Sequence, residues 1–235
     1  MFKTKKINLQ ILFTSFLIIG LLIIYKNIKI NNNDNIKLKE IPNSFKVYGI
    51  DVSHYQKKIN WDFFKKNDSL IKFVYCKATE GINFIDPQWK NNRLKLIELN
   101  IKNGAYHFFN PKLDPIKQAN HFLANYTYKK NDLPPVLDSE IEIEPTEKLI
   151  KNIKLWLIHI EKTTNQRPII YTSYYLYKKI LKKHFKEYKF WIANYSKTPN
   201  RVIDKNIIFW QYSDEGKIAG ISGNVDLNIS KIDFN

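Results

Sequence analysis

Short apolar stretches that favour β-strands alternate along this chain with segments whose apolar residues recur every three or four positions. Strands are predicted over residues 46–51, 71–79, 104–109, 136–140, 169–173, 190–194, 207–213 and 225–229. Helices are predicted over residues 87–100, 115–126 and 147–162. This alternation predicts an α/β fold with a mainly parallel sheet, and about eight strands favour an irregular TIM-like β/α barrel. Few helix signals separate the last three strands, so that part should be irregular.

The chain begins with a candidate membrane segment. Residues 7–25 carry no charge and follow a lysine-rich start. As a helix these 19 residues span about 28 Å, enough to cross a bilayer core. The run passes directly into Lys26 without the small residues of a signal-peptide cleavage site. We therefore expect a membrane anchor over 1–25, a polar linker over 26–45 and a globular domain over 46–235 outside the cytoplasm. Cleavage of the segment would instead give a secreted protein.

Composition narrows the classes of partner. The formal net charge is +16, which favours contact with anionic polymers. The lysines are spread along the chain and no nucleic-acid-binding module is recognisable, so no nucleic-acid partner is expected. Cys76 is the only cysteine, which excludes an intramolecular disulfide and a thiolate metal cluster.

An Asp-x-Glu motif, Asp138 and Glu140, closes the apolar stretch 135–137. On a β-strand residues i and i+2 point to the same side, which places the two side chains about 6–7 Å apart at their bases. Carboxyl groups that close cannot titrate independently, so one of them keeps its proton near neutral pH. A protonated acid beside an ionised one can cleave a glycosidic bond.

Other acids fall at comparable positions. Asp51, Glu80 and Asp226 lie at or just beyond the carboxyl ends of predicted strands, where β/α barrels place their active sites. Each acid alone would be equally at home in a turn or at a helix start. Their convergence from several strands predicts a cleft lined by carboxyl groups.

Eight motifs in order resemble one known family. They are YGIDVSHYQ at 48–56, KATEG at 77–81 followed by Asp86-Pro87, GAYHF at 104–108, LDSE at 137–140, IYTS at 170–173, WIANY at 191–195, WQYS at 210–213 and GNVDLN at 223–228. Over about residues 47 to 232 the chain resembles the glycoside hydrolase family 25 lysozymes, the Chalaropsis-type muramidases. Ser139 departs from the apolar residue usual at the centre of the Asp-x-Glu motif, and its side chain should point away from the cleft.

The resemblance implies an irregular β/α barrel that hydrolyses the β-1,4 bond between N-acetylmuramic acid and N-acetylglucosamine in peptidoglycan. It implies that Glu140 is the general acid and that Asp138 is its partner, which raises the pKa of Glu140 by proximity. It places Asp51 and Asp226 as two further acids of the cleft. The residues implied in sugar binding are Tyr106, Tyr171, Trp191, Trp210 and Glu80. No metal or cofactor is implied, and we expect a monomer whose partner is the glycan strand.

Several alternatives remain open at this stage. Retention, inversion and participation of the substrate's acetamido group are all compatible with the motif. A zinc-dependent hydrolase or deacetylase would need metal-spaced ligands, and the five histidines at 54, 107, 121, 159 and 184 form no such pair. A chitinase-like barrel would carry an acid where Val136 stands. A membrane-tethered wall-binding protein without catalysis would not need all four acids.

Overall fold

The computed structural model describes residues 41–196 and 202–233. The predicted anchor, residues 1–25, and most of the predicted linker lie outside the described residues. Within the described ranges, no helix combines the length and the apolar character needed to cross a bilayer.

Eight strands of mixed direction close into an irregular barrel. The strands of the sheet are β1 Val47–Val52, β2 Ile71–Glu80, β3 Phe84–Ile85, β4 Lys102–Phe108, β5 Val136–Asp138, β6 Ile169–Ser173, β7 Lys189–Ala193, β8 Ile207–Gly216 and β9 Val225–Ser230. The ring runs β1-β2-β4-β5-β6-β7-β8-β9 and returns to β1, while the short β3 pairs only with β2. The neighbours from β1 to β8 are parallel, and β9 is antiparallel to both of its neighbours. The predicted α/β barrel is confirmed.

Helices occupy most of the connections between the parallel strands. They are α1 Trp61–Asn67, α2 Trp89–Glu98, α3 Pro115–Asn125, α4 Thr146–Thr164 and a helical segment over 174–184 whose central part, Tyr177–Leu181, is a π-helix. The three predicted helices, now α2, α3 and α4, are confirmed, whereas α1 and the segment 174–184 were not predicted. Helix α3 begins where its sequence indicates, because Asp114 Oδ1 accepts a hydrogen bond from Lys117 N at 2.8 Å and proline occupies the first helical position.

Strand β9 runs antiparallel because no crossover helix precedes it. The connection 217–224 links β8 to β9 directly, and a chain that returns without a crossover must pair antiparallel. The amino end of β9 therefore lies at the end of the barrel where the other strands finish. The prediction that Asp226 lies at the carboxyl end of its strand is wrong, since it is the second residue of β9. The reversed direction still brings it to the predicted end of the barrel.

Aromatic side chains fill the barrel interior below the cleft. The buried cluster consists of Phe73, Tyr75, Leu133, Val136, Ile169, Tyr171, Trp191 and Phe209. Two glycines on the strands beside β2 leave room for its rings. A Cβ atom on Gly49 would overlap the Phe73 ring, and one on Gly104 would lie 2.5 Å from the Tyr75 ring. This alternation of large and small residues is how small barrels fill their interiors, and the packed rings form the floor of the site.

A second apolar layer lies between the barrel and its helices. One face of α4 is fully buried there through Leu149, Ile153, Trp156, Leu157 and Ile160, the stripe whose spacing predicted the helix. Burying each large apolar side chain stabilises the fold by about 1.5–3 kcal/mol. The site is thus carried on strands that are packed on both faces.

Candidate active site

A cleft of about 390 Å³ opens at the end of the barrel where the parallel strands finish. Its lining includes Asp51 near the end of β1, Asp138 as the last residue of β5, Glu140 two residues further on, and Asp226 at the start of β9. The structure therefore brings together the four acids that the resemblance assigned to the catalytic centre, and Glu80 lines the same cleft. Asp138 and Glu140 face the same space because their side chains are two residues apart, as expected.

Asp51 and Asp226 form the first carboxyl pair. They are directly opposite each other in the antiparallel register of β1 and β9, and their side chains are hydrogen bonded to each other. Burial raises the pKa of Asp51 well above its usual range, and the charge of Asp226 raises it further. Burial, followed by the charges of Asp214 and Glu140, raises the pKa of Asp226 to about 6. The pair therefore retains a proton near neutral pH, with Asp51 as its donor.

Gln211 holds one side of Asp51. Its Nε2 donates to Asp51 Oδ2 at 2.9 Å, while its Oε1 accepts from the Tyr171 hydroxyl at 2.8 Å and from the Tyr195 hydroxyl at 2.7 Å. Two phenol donors on Oε1 fix the orientation of the amide, because the reversed amide would present N–H groups to both hydroxyl donors. Gln211 is therefore a rigid support for Asp51.

Asn228 supports Asp51 from the neighbouring strand. Its Nδ2 donates to Asp51 Oδ2 at 2.7 Å, and its Oδ1 accepts from Trp191 Nε1 at 2.8 Å. Since the indole is a donor only, it sets the orientation of this amide as well. Asp51 Oδ2 thus receives two N–H donors of fixed direction, which lower the pKa of Asp51 but do not outweigh its burial.

Asp138 and Glu140 form the second pair. Burial raises the pKa of Asp138 well above its usual range, and the charge of Glu140 adds to the rise. Asp138 Oδ1 is buried, and no hydrogen-bond partner for it occurs in the described part of the chain. Glu140 is the most exposed of the four acids and stands at the rim. The two carboxyl groups titrate as a unit that holds a proton more tightly than either residue would alone in water.

Burial is the largest cause of the raised Glu140 pKa. Its pKa rises because the walls of the cleft remove water from the carboxyl group, whereas the nearby Tyr171 hydroxyl group and the charge of Lys77 act in the opposite direction. Asp138 and Glu140 are close enough to repel each other when both are ionised, and this repulsion belongs to the pair as a whole. Asp138 is the more deeply buried of the two, and its ionisation is the more costly.

Lys77 is a buried cation in this acidic cleft that the sequence analysis did not assign. Its side chain is 8% exposed, and Nζ lies 2.6 Å from Glu80 Oε2. The ammonium group also lies 4.9 Å from the centre of the Phe108 ring and 5.5 Å from that of Phe84. Its charge lowers the pKa values of Asp138 and Glu140 and so limits how far burial raises them. A lysine inside an apolar strand was the signal that could have identified it.

Four of the five residues predicted to bind sugar lie in the lining of the cleft. Tyr106, Tyr171, Trp191 and Glu80 line the cleft. Trp210 does not: it is 2% exposed, and its Nε1 donates to the backbone oxygen of Asn194 at 2.8 Å. On β8 it lies between Phe209, which faces the barrel interior, and Gln211, which faces the cleft. Because side chains alternate along a strand, Trp210 points to the outer layer.

Strand parity would have identified the residues that the sequence analysis missed on β8 and β9. On β8, Phe209 belongs to the interior cluster and Gln211 lines the cleft, so the odd-numbered positions face inward. On β9, Asp226 and Asn228 share one face for the same reason. Tyr195, just beyond β7, also lines the cleft. Trp210 was implied by its place in the WQYS motif, whereas the alternation along β8 turns its side chain away from the cleft.

The two histidines near strand ends do not share a site. His54 Nδ1 lies 2.7 Å from Asp86 Oδ2, at the side of the cleft. His107 is fully buried outside the barrel interior, where Nδ1 lies 2.8 Å from Thr79 Oγ1 and burial lowers its pKa to about 3. Among the residues that the structure describes, no group of three or more histidine, cysteine, aspartate or glutamate side chains is arranged to hold a metal ion.

The comparisons of sequence and of structure with known proteins agree on one family. The sequence model of glycosyl hydrolases family 25 matches residues 50–221. The chain is 37% identical over 193 residues to the uncharacterized protein YegX of Escherichia coli K12, covering 80% of this chain and 71% of that protein. It is 31% identical over 200 residues to lysozyme M1 of Streptomyces globisporus, covering 77% and 67%. Its fold resembles a family 25 glycosyl hydrolase from Bacillus anthracis, with a TM-score of 0.71, 27% identity, and coverage of 83% and 93%.

Proposed function

The chain belongs to glycosyl hydrolases family 25, and from this membership we propose that it is a peptidoglycan muramidase. The proposed reaction is hydrolysis of the β-1,4 bond between N-acetylmuramic acid and N-acetylglucosamine. Its similarity to lysozyme M1 supports a lysozyme activity. Its substrate is the glycan strand, and no metal or cofactor takes part.

The observation that carries the proposal is the pair of coupled carboxyl groups at Asp138 and Glu140. Cleavage of a glycosidic bond needs a proton donor for the leaving oxygen, and an ordinary glutamate has lost its proton at neutral pH. Both pKa values are raised here, so the pair keeps a proton available. Glu140 stands at the rim where a glycan strand would lie, and we assign it the role of general acid. Asp138, at the end of β5, shares that proton and faces the same sugar.

Asp51 and Asp226 act as a second unit in this proposal. Their shared proton and the fixed amides of Gln211 and Asn228 give Asp51 one defined orientation. Such an arrangement needs no reorganisation when positive charge develops on the sugar ring, which is how preorganised groups stabilise a transition state. Tyr106, beside them, supplies an aromatic wall to the cleft.

The proposed domain organisation is a catalytic domain over 46–235, preceded by the linker over 26–45 and a membrane anchor over 1–25. The support is the uncharged apolar run from 7 to 25 and its direct passage into a lysine. The catalytic domain would then lie outside the cytoplasm. Protease added to intact cells or spheroplasts should degrade it, and complete protection would overturn this arrangement.

The direct test is mass spectrometry of fragments released from purified peptidoglycan by the full chain. Muramic acid at the new reducing ends is the expected result, whereas glucosamine there would mean a glucosaminidase. Glu140→Gln should abolish release and keep binding to the wall. Glu187→Gln, an exposed position at a distance from the cleft lining, is the matched control and should keep full activity. Release of fragments by Glu140→Gln at the normal rate would refute the assignment.

A further inference from the structure

A second groove continues from the catalytic cleft. It has a volume of about 790 Å³ and lies between the helical segment 174–184 and the end of β7. Glu140 and Tyr195 line both the cleft and the groove, so a substrate in the cleft can extend into it without leaving the protein surface. The groove therefore begins at the residue to which we assign proton donation.

Two tyrosine rings with restrained positions stand in this groove. Tyr195 is 50% exposed, yet its hydroxyl group is fixed by the 2.7 Å hydrogen bond to Gln211 Oε1. Tyr175 is 61% exposed, and Lys179 Nζ lies 5.2 Å from the centre of its ring. Exposed aromatic rings of this size are unfavourable in water, so covering them with a ligand is favourable. A ring that is already held in place also loses little conformational entropy when a ligand packs on it.

The groove also contains a lysine that is not paired with a carboxylate of the described residues. Lys179 is paired with Glu142 at 2.7 Å, so its charge is largely neutralised. Lys178, its neighbour in the lining, is exposed and has no carboxylate partner within the ranges that the structure describes. A flexible ammonium group beside restrained aromatic rings is suited to a ligand that carries a carboxylate on a partly apolar chain.

We propose that this groove binds the peptide stem of peptidoglycan, with Lys178 contacting one of its carboxylates. The inference rests on the proposed muramidase function. The muramic acid unit carries its peptide on the lactyl group, next to the bond to be cleaved, and the peptide bears free carboxylates. A glycan strand placed with its scissile bond at Glu140 directs that peptide along an adjacent surface. The groove makes the enzyme selective for glycan strands that still carry their peptides.

The test compares two soluble substrates: glycan chains with peptide stems, and the same chains after an amidase has removed the stems. Lys178→Glu replaces attraction by repulsion and should raise KM about 5- to 10-fold on the peptide-bearing chains, as expected for an exposed charge pair and its reversal. It should leave KM on the bare chains unchanged. Lys183→Glu, on the same helical segment but outside the groove lining, makes the same change in net charge and should affect neither substrate.

An equal change in KM on both substrates, or no change on either, would overturn the proposal. Calorimetric titration of Glu140→Gln, with and without Lys178→Glu, measures binding without turnover. If the wild-type chain cleaves neither substrate, the muramidase function fails. The binding titration then still decides whether the groove prefers peptide-bearing chains, since equal affinity for both substrates would refute the groove independently.

Discussion

Replacing Asp226 by asparagine should make the protein more stable at neutral pH. The folded protein raises the pKa of Asp226 from 3.8 to about 6, mainly by burial. A shift of about 2 units corresponds to about 3 kcal/mol of preference for the protonated form. Because the carboxyl group is ionised at pH 7, the folded state carries this cost there. Asparagine cannot ionise, and it can still accept the hydrogen bond from Asp51.

The sign of the effect follows from proton linkage. Between pH 4 and pH 6 the folded state binds more protons at Asp226 than the unfolded state does, so this residue lowers stability as the pH rises. Well below pH 4 the carboxyl group is protonated in both states and costs nothing. The Asp226→Asn variant should therefore gain about 2 kcal/mol relative to wild type on going from pH 4 to pH 7.

The free energy of unfolding of both proteins can be measured at pH 4, 5, 6 and 7 by urea titration, with tryptophan fluorescence as the signal. The change across the pH range is the test, since a constant offset between the two proteins reports packing alone. Asp62→Asn, on the exposed surface of α1, is the matched control for replacing an aspartate outside the cleft. The reasoning would be refuted if the difference in the free energy of unfolding between Asp226→Asn and wild type stayed constant within about 0.5 kcal/mol from pH 4 to pH 7. The same variant should lose activity, as stabilised active-site variants often do.

Three further substitutions test the support of the site and its chemistry. Gln211→Leu removes the acceptor of two tyrosine hydroxyl groups and a donor to Asp51, so the free energy of unfolding should fall by about 1–3 kcal/mol in urea titrations. Gly49→Ala places a methyl group in the Phe73 ring, and the same assay should show a loss of about 1–3 kcal/mol or more. Asp138→Asn should slow turnover and flatten the acidic limb of the kcat/KM profile, because that limb reports the first ionisation of the carboxyl pair. A profile identical to that of wild type would contradict the last expectation.

Local periodicity was sufficient to predict most of the barrel. The apolar spacing of residues 147–162 predicted α4, and the i, i+2 relation between Asp138 and Glu140 placed both acids in one cleft. Helix α1 was missed because its seven residues give too few turns for a periodic signal. The direction of β9 depends on the connection that precedes it, and nothing within the strand itself distinguishes parallel from antiparallel pairing.

The causes of the pKa shifts were also beyond the sequence. Two carboxyl groups in one motif predict repulsion, but the depth at which each group lies, and hence how strongly burial raises its pKa, depends on the fold. Glu140 lies at the rim and Asp138 on a buried strand, and burial is the largest cause of the raised pKa of each. Gln211 and Asn228 form a network with residues more than 30 positions away in most cases, which local patterns do not reveal.

The reversed strand has a consequence for how this cleft can be altered. The hairpin loop 217–224 lies at the mouth of the barrel, where the backbone oxygen of Asn224 accepts from Gln56 Nε2 at 2.9 Å. Both ends of the loop are anchored in the ladder of β8 and β9, and its middle is held where the backbone oxygen of Gly220 accepts from Asn60 N at 2.9 Å. Residues inserted between these anchors would change the mouth of the barrel and leave Asp226 and Gln211 in register. The loop is therefore a position at which the entrance of the cleft could be redesigned without disturbing its acids.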